Sequence, residues 1–348
     1  MNVAQNRADF RSDTVTVPTP EMRQAMYEAK VGDDVYGEDP SINRLEELGA
    51  NLLGKEAGLF VTSGTQGNLI SILTHTVPGQ EIILESESHV FYYEAAGAAL
   101  IGGVQTRTVP GMRGAMDPAT VEAAIRTDNI HFPSTGLILL ENTHNRAGGA
   151  VVPISNLVSL AAIGQRYSIP LHLDGARIFN AAAALGIKAK EIASWVDSVS
   201  FCLSKGLCAP VGSLIVGRKE WIARARKWRK RLGGGMRQAG ILAAAGIVAL
   251  EQMIERLPQD HDLAQYLAAG LAEIPGLDVI PPETNIVLAH ISDSRWSASQ
   301  LLQRLAEEGV LATDFGPSTV RFVTHKDVDR AAADRAVLIT GNILKGDF

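Results

Sequence analysis

The sequence predicts an α/β protein, with a large domain on a mostly parallel, doubly wound sheet and a smaller α+β domain after it. Short apolar runs alternate with amphipathic segments over residues 58–232, the pattern of strands joined by crossover helices. Gly233-Gly234-Gly235 then breaks this alternation. A chain of 348 residues is long enough for one large and one small core. We predict an N-terminal arm over 1–40, a large domain over 41–257 and a small domain over 258–348.

Composition and charge limit the function classes. Hydrophobic residues make up 46% of the chain and charged residues 20%, as in an ordinary globular enzyme. The net charge of −6 argues against nucleic acid as the main partner, because no basic face offsets phosphate repulsion. No apolar run approaches the roughly 20 residues of a membrane-spanning helix, and the N-terminal segment lacks the apolar core of a signal peptide. We expect a cytoplasmic protein with no nucleic-acid or membrane partner.

The cysteine content excludes a disulfide scaffold. Cys202 and Cys208 are the two cysteines of the chain, and two residues cannot form a disulfide framework. Their spacing does not fit a zinc site either. We expect reduced, buried thiols and no metal site.

Residues 9–40 are polar and rich in proline and glycine, which indicates an extended arm that lies on another part of the structure. One amphipathic helix fits inside the arm over 21–30, with Pro20 in its first turn. A second helix is predicted over 42–53, where the apolar residues form one stripe and Gly54 ends it.

Strands and helices then alternate. Strands are predicted at 58–61, 82–84, 104–109, 137–140, 171–173, 198–203 and 213–216. Helices are predicted between them at 66–74, 118–126, 154–167 and 220–232. After the glycines the pattern predicts a long helix ended by Pro258, followed by alternating helices and strands, at 237–257, 286–290, 298–308, 320–323 and 328–344.

The most informative stretch ends one of the predicted strands. Apolar residues alternate up to Leu203, Lys205 follows, and Gly206 permits a tight turn. A lysine at the mouth of a buried strand is partly desolvated. This makes its amine a candidate nucleophile for Schiff-base formation.

A second strand ends in an acid. The apolar run 169–173 is followed by Asp174 and then by Arg177. Asp174 and Lys205 are far enough apart in the chain for one helix between their strands, so both side chains lie at the ends of neighbouring parallel strands. A lysine for covalent attachment and an acid for the pyridine nitrogen are what pyridoxal 5′-phosphate (PLP) requires. The sequence therefore predicts a PLP site.

Ser63-Gly64-Thr65 lies at a predicted strand-to-helix junction. Free amides at a helix start, two hydroxyls and a small glycine can hold a phosphate group. The same residues also form ordinary helix caps and turns, so both interpretations stand at this point.

Two histidines are candidates for proton transfer. His89 follows the second strand of the predicted sheet and precedes an aromatic group, so it could stack on a pyridine ring and handle protons. His131 lies in an apolar bracket before another strand. Either one could instead be an ordinary hydrogen-bonded histidine. The polar run 142–145 after a strand either contacts a cofactor or is only a turn.

Arg177 and Arg321 are candidates for binding a carboxylate. The planar guanidinium of arginine matches the two oxygens of a carboxylate. A surface ion pair is the other explanation for Arg321. No G-x-G-x-x-G motif follows a strand, so a nicotinamide-dependent dehydrogenase is not supported.

In several ordered blocks the chain resembles the low-specificity L-threonine aldolases, PLP enzymes of the aspartate aminotransferase-like fold (fold type I). The blocks run almost from end to end of the sequence: Arg11 to Thr16, Val31 to Pro40, Glu141 to Asn145, His172 to Asn180, Cys202 to Leu207, Gly233 to Gly240 and Arg321 to His325.

The resemblance implies roles for residues around the cofactor. Lys205 would bind PLP covalently, Asp174 would hold the pyridine nitrogen, and His89 would stack on the ring. Arg177 is expected near the ring oxygen and the substrate carboxylate. The phosphate would be held by Ser63, Gly64 and Thr65.

It also implies contacts with substrate and between subunits. Ser12 and Arg321 would bind the substrate carboxylate. Arg237, and also Lys230 and Tyr36, would reach the site of a neighbouring subunit. The family is typically a homotetramer of dimers that share active sites, which gives the arm and the glycine loop a function.

The implied reaction is the reversible cleavage of L-threonine, L-allo-threonine and other β-hydroxy-α-amino acids to glycine and an aldehyde. The base that removes the β-hydroxyl proton is either His89 or His131, directly or through a water, with His89 preferred. A β-eliminating lyase or an amino-acid racemase on the same scaffold is the alternative within PLP chemistry. A non-catalytic PLP-binding regulator is the alternative from another class.

Overall fold

The structure is a computed structural model that describes residues 7–346. The strands of this part of the chain are β1 Ala8–Asp9, β2 Ala57–Val61, β3 Glu81–Glu85, β4 Gln105–Val109, β5 Gly111–Met112, β6 Ala115–Met116, β7 Thr135–Glu141, β8 Leu171–Asp174, β9 Ser198–Cys202, β10 Ser213–Gly217, β11 Leu277–Ile280, β12 Ile286–Ile291, β13 Val310–Leu311, β14 Thr313–Asp314 and β15 Thr319–Val323.

The helices of the same residues are α1 Pro20–Tyr27, α2 Pro40–Leu52, α3 Gly64–His75, α4 His89–Tyr92, α5 Gly97–Leu100, α6 Pro118–Ala124, α7 Ile154–Tyr167, α8 Ile178–Leu185, α9 Ala189–Ala193, α10 Lys219–Arg231, α11 Gly240–Val248, α12 Leu257–Ala272, α13 Ala298–Glu307 and α14 Arg330–Lys345. Two 3₁₀ turns lie in the arm, at Asp13–Val15 and Asp34–Tyr36.

The main sheet of the described chain has seven strands, in the order β2-β10-β9-β8-β7-β3-β4. The pairings from β9 to β4 are all parallel. Strand β10 runs antiparallel to both of its neighbours. The predicted α/β class with a mostly parallel sheet is confirmed.

Both faces of the main sheet are covered by helices. On one face Phe60 and Phe201 pack into a core that also contains residues of α2, α7, α8 and α11. On the other face Leu59 and Ile215 pack against Ile70 of α3 and against α10. Successive strand residues point to opposite faces. Burial on both faces explains the near-continuous apolar runs from which the strands were predicted.

A second sheet follows in the chain, in the order β11-β12-β15-β14, with antiparallel neighbours. It packs with α12, α13 and α14 around a separate apolar core. The N-terminal strand β1 pairs in parallel with β13, and the Phe10 ring meets the Phe322 ring edge-on at 6.1 Å. The start of the arm therefore belongs to the core of the second sheet.

The predicted helix over 237–257 is wrong in its length and its end. Helix α11 covers Gly240–Val248, a π-helical turn follows at Ala249–Met253, and α12 begins at Leu257. Pro258 lies in the first turn of α12, where its missing N–H and fixed φ are tolerated. Proline thus starts the next helix here rather than stopping the previous one.

Some short elements do not show in the sequence pattern. The helices Ile178–Leu185 and Ala189–Ala193 were not predicted, nor were the one-turn helices at 89–92 and 97–100. These segments are too short, or too uniformly apolar, to display a helical period.

The carboxyl ends of β7, β8 and β9 meet at one edge of the main sheet, because these strands are parallel neighbours. In open α/β sheets ligands bind at this edge. Among the described residues no helix is both long and apolar enough to cross a membrane.

Candidate active site

A cleft of about 390 Å³ opens at this edge of the main sheet. The strand ends form its floor, and the arm and the β14–β15 hairpin of the second sheet form its walls. The cleft is lined by Ser12, Thr14, His89, Tyr93, Glu141, Thr143, Asn145, Asp174, Ala176, Arg177, Lys205, Thr313, Asp314, Phe315 and Arg321.

Lys205 lies in the turn that follows β9 and is half-buried. Its carbonyl accepts hydrogen bonds from the Cys208 amide at 2.9 Å and from Thr16 Oγ1 of the arm at 3.1 Å. These bonds fix the backbone of the turn. Within residues 7–346 the Lys205 amine itself makes no hydrogen bond or ion pair, so it is available for covalent chemistry.

Asp174 ends β8 and is 3% exposed. Its Oδ1 accepts a hydrogen bond from the Ala176 amide at 3.0 Å, and its Oδ2 accepts one from Asn68 Nδ2 at 2.7 Å. Asn68 belongs to α3 and is held in turn by Ser200, whose hydroxyl donates to Asn68 Oδ1 at 2.5 Å. Both carboxylate oxygens accept from neutral donors, so Asp174 is oriented without being paired to a cation of the chain.

His89 begins α4 and lines the cleft. Its amide donates to Glu141 Oε2 at 2.6 Å, while Glu141 Oε1 accepts from the Asn145 amide at 2.8 Å. Glu141 thus joins the end of β7 to the start of α4. The His89 ring lies 5.4 Å from the Tyr93 ring, and its Nδ1 lies 3.0 Å from Glu94 Oε1.

Ser63 caps the N-terminus of α3, where its hydroxyl accepts a hydrogen bond from the Gln66 amide. Gly64 follows, and a Cβ at this position would lie 3.0 Å from the Cys202 sulfur. The absence of a side chain therefore lets the start of α3 approach the end of β9, next to the Lys205 turn. Residues 63–65 lie beside the cleft and are not part of its lining.

Arg177 is buried at the floor of the cleft and paired with Asp13 of the arm. Its Nε and Nη2 donate to the two carboxylate oxygens of Asp13 at 2.6 and 2.7 Å. Burial alone would raise the pKa of Asp13, but the charge and hydrogen bonds of Arg177 hold it well below its usual value. This two-pronged pair fastens the arm to the sheet.

Arg321, on β15, faces the same cleft without such a partner. Its Nη1 donates to Asn145 Oδ1 at 2.9 Å and its Nη2 to the Arg11 carbonyl at 3.2 Å, whereas its Nε is buried with no hydrogen-bond partner. Among the described residues no carboxylate forms an ion pair with it. Burial and the neighbouring Arg177 cation lower the pKa of Arg321 to about 10, so it stays charged at neutral pH.

Four residues of the site were not singled out from the sequence: Asp13, Asn68, Glu94 and Glu141. Asn68 could have been found from the sequence, because it is a lone amide on the buried face of α3. The indication for Glu94 was weaker: it follows His89 by five positions across a short helix. Nothing in the sequence connects Asp13 with Arg177.

Comparison with known proteins shows the family of the chain. A model of the beta-eliminating lyase family matches residues 9–294. The low-specificity L-threonine aldolase 1 of Arabidopsis thaliana is 46% identical over 327 residues, which cover 92% of this chain and 91% of that protein. The low specificity L-threonine aldolase of Escherichia coli K12 is 45% identical over 323 residues, covering 92% and 95%.

The chain belongs to the low-specificity L-threonine aldolase family. A solved structure of Leishmania major threonine aldolase superposes with a TM-score of 0.83, at 20% identity, and covers 97% of this chain and 99% of that one. At this identity the likeness shows the fold alone, and the fold is that of the PLP-dependent threonine aldolases.

PLP is the cofactor of the threonine aldolase family, and the residues of this cleft fit it. A lysine amine without a partner can bind the aldehyde carbon, and a buried carboxylate can hold the pyridine nitrogen. The start of α3, which approaches Lys205 through Gly64, offers backbone amides for the phosphate. Lys205, Asp174 and the start of α3 thus fit the aldehyde carbon, the pyridine nitrogen and the phosphate of PLP, respectively.

Four of the residues singled out from the sequence lie outside the cleft of their own chain. Tyr36 is 75% exposed on the 3₁₀ turn of the arm. Arg237 is exposed and paired with Asp33 at 2.9 Å, and Lys230 is exposed at the end of α10. His131 is exposed on the loop between α6 and β7. The structure thus does not bring these four to the site of the same subunit.

Proposed function

We propose that this protein cleaves L-threonine and L-allo-threonine reversibly to glycine and acetaldehyde, and other β-hydroxy-α-amino acids to glycine and the matching aldehyde. The observation that carries the proposal is the half-buried guanidinium of Arg321, which has no carboxylate partner in the described chain and lies in one cleft with Lys205 and Asp174, with its Nε buried and unbonded. An amino-acid substrate supplies the missing carboxylate. The names of the threonine aldolase relatives support the choice of reaction.

The substrate carboxylate is bound by Arg321 and Ser12 in this proposal. The buried Nε of Arg321 provides a donor that no group of the described chain uses. Arg177 keeps Asp13 as its partner and contributes its remaining N–H donors near the ring oxygen of the cofactor. Fixing the carboxylate orients the Cα–Cβ bond for cleavage, which is the main contribution of positioning residues.

Bound PLP supplies an electron sink for the negative charge left at Cα. Asp174 holds the proton on the pyridine nitrogen, and its hydrogen bonds from Asn68 and Ala176 keep the carboxylate aligned for that contact. Preorganised charge of this kind is a large part of enzymatic rate enhancement. Lys205 is the residue of covalent attachment, and Ser63, Gly64 and Thr65 hold the phosphate.

His89 is the proposed base. It accepts the proton of the β-hydroxyl group while the Cα–Cβ bond breaks and the aldehyde leaves, and a proton delivered to Cα then completes glycine. His131 is exposed and is not among the residues that line the cleft. It stays a candidate only as a contribution from a second subunit.

The assembly we propose is a homotetramer in which neighbouring subunits share active sites. Support comes from the exposure of Tyr36, Lys230 and Arg237 on one chain. We also propose a cytoplasmic location and the division into an arm, a large domain and a small domain at residues 40 and 257. A monomer in sedimentation equilibrium of the PLP-bound protein would contradict the shared sites.

The direct test is aldehyde release from the four stereoisomers of threonine by the PLP-bound protein. We expect glycine and acetaldehyde in equal amounts from the two L-isomers, and almost none from a Lys205→Ala variant that remains folded. Near-normal turnover by this variant would remove Lys205 from the site assignment.

The description of the matching family as beta-eliminating lyases makes elimination the second candidate. An eliminating enzyme releases ammonia and an oxo acid from threonine and forms no glycine, while a racemase returns the substrate with inverted Cα. Measuring glycine, ammonia and optical purity in the same reaction separates the three activities.

A further inference from the structure

Glu94 is a buried carboxylate behind His89 that the reaction above does not use. It follows α4, its side chain is 4% exposed, and its carbonyl accepts a hydrogen bond from the Gly97 amide. Three side chains come close together here: a ring nitrogen of His89, a carboxylate oxygen of Glu94 and a carboxylate oxygen of Asp174 all lie within 4.8 Å of one another. At this separation the charges of the three side chains interact strongly.

Hydrogen bonds determine how the three groups are connected. Glu94 Oε1 lies 3.0 Å from His89 Nδ1 and accepts from Asn68 Nδ2 at 2.8 Å. The same Asn68 amide nitrogen donates its second hydrogen to Asp174 Oδ2 at 2.7 Å. Because Ser200 donates to the amide oxygen of Asn68, the amide has one orientation. One amide thus separates the carboxylate of Glu94 from that of Asp174.

The electrostatics favour a proton on the His89–Glu94 pair. Burial raises the pKa of Glu94 and the charge of Asp174 raises it further, against the hydrogen bonds from His89 and Asn68. For His89, burial would lower the pKa, but the bond to Glu94 and the charge of Asp174 raise it above its usual value, while Lys205 opposes them. Glu141 contacts only the His89 amide, and Tyr93 presents its ring.

We propose that Glu94 is a positioning residue for His89. It holds the imidazole with Nδ1–H directed at its own carboxylate and so leaves Nε2 as the nitrogen that acts in the cleft. The role of Nε2 as the base rests on the proposed function, whereas the fixed tautomer does not.

A purely structural role for Glu94 is the competing explanation, and the chain contains a matched pair to test it. His144 Nε2 lies 2.9 Å from Glu85 Oε2, and the side chains are 1% and 5% exposed. A Cβ on Gly114 would lie 2.5 Å from His144, so this pair is sealed by the β5–β6 hairpin. His144 does not line the cleft. Glu85–His144 is therefore a buried glutamate–histidine pair without access to substrate.

The experiment compares Glu94→Gln with Glu85→Gln in the PLP-bound protein with ¹⁵N-labelled histidine rings. The His89 signals are assigned from a His89→Gln sample. In Glu94→Gln we expect a lower pKa of His89 and loss of the single Nδ1–H tautomer. We also expect the acid limb of the kcat/KM profile to move to lower pH, with kcat/KM near neutral pH reduced about 10- to 100-fold. The position of the PLP absorption band should stay unchanged, since Lys205 and Asp174 are untouched.

In Glu85→Gln the pKa of His144 and the thermal stability should fall while the His89 titration stays the same. Glu94→Asp, which keeps the charge and is one methylene shorter, should restore part of the His89 pKa. If Glu94→Gln does not fold, Glu94→Asp takes its place in the comparison.

An unchanged titration and tautomer of His89 in Glu94→Gln, in an enzyme that cleaves threonine, would overturn the proposal. If instead the His89 signals shift as expected but the wild-type protein releases no aldehyde, the positioning role stands and the proposed function fails. The two failures are therefore distinguishable.

Discussion

Arg177 and Arg321 line the same cleft, yet their surroundings are opposite. Arg177 is enclosed and paired through two hydrogen bonds with Asp13, which is itself fully buried. Arg321 stacks on the Phe315 ring at 4.8 Å, donates to an amide and a carbonyl oxygen, and keeps one buried N–H without a partner. One cation is neutralised inside the fold and the other is held unpaired.

This difference separates a structural arginine from a substrate-binding one. A buried ion pair contributes little net stability, but each member is needed once the other is buried. A cation with a buried N–H donor and no bonding partner is costly to the fold, and such groups persist where a ligand supplies the counter-charge. The comparison thus indicates that Arg321 is the main carboxylate ligand, while Arg177 ties the arm to the floor of the site.

The largest effect is expected from Asp13→Asn. The change leaves the Arg177 guanidinium buried without a counter-ion, which should lower the free energy of unfolding by about 3–5 kcal/mol. Urea unfolding of the PLP-bound protein measures it. The matched control is Asp9→Asn, which breaks the Asp9–Arg11 pair, where Arg11 is 50% exposed. A surface pair should change stability by at most about 1 kcal/mol. Equal effects of the two variants would contradict the comparison.

The Asp13–Arg177 pair also shows where sequence reasoning stops. Lys205 and Asp174 could be placed together because parallel strands end at one edge, and that rule needs only the strand pattern. Asp13 and Arg177 are 164 residues apart and meet only because the arm crosses the sheet. No periodicity in the sequence encodes such a contact, so both arginines were predicted to bind a carboxylate. Asn68 meets Asp174 across 106 residues for the same reason.

The next effect in size is expected from Arg321→Met. Removing the proposed carboxylate ligand should lower kcat/KM for threonine by about 100- to 1,000-fold, mostly through KM. Stability should change little, because the guanidinium is only half-buried and forms no ion pair with a described residue. Steady-state kinetics and urea unfolding of one preparation test both statements.

Arg146→Met is the matched control for Arg321. Arg146 also stacks on the Phe315 ring, at 5.0 Å, but it already has Glu87 as an ion-pair partner. Its replacement should leave KM within about fivefold, since a surface pair contributes little. If Arg146→Met lowered kcat/KM more than Arg321→Met, the proposal that Arg321 binds the substrate carboxylate would be contradicted.

Arg177 is paired and Arg321 is charged without an ion-pair partner. A buried basic group can also lose its charge altogether, as two histidines do elsewhere on the main sheet. His75 Nε2 and His172 Nδ1 are both hydrogen-bonded to Ser198 Oγ, at 2.7 and 2.8 Å, and the His172 Nε2 is buried without a partner. Burial lowers the pKa of His75 to about 4 and that of His172 well below its usual value. Both histidines are therefore neutral in the folded protein.

The last prediction, whose effect is the smallest near neutral pH and grows only as the pH falls, is the pH dependence of stability. The unfolded chain binds protons at His75 and His172 near pH 6.5, whereas the folded chain does not do so at His75 until about pH 4. Stability should therefore fall as the pH drops through this interval, by about 1.4 kcal/mol per pH unit for each histidine. In His75→Phe the slope should be smaller by one such share, while in His290→Gln, which changes an exposed histidine, it should equal that of the wild type. If His75→Phe kept the full slope in urea unfolding, the neutral state of the buried histidine would be contradicted, and with it the contrast to the charged Arg321.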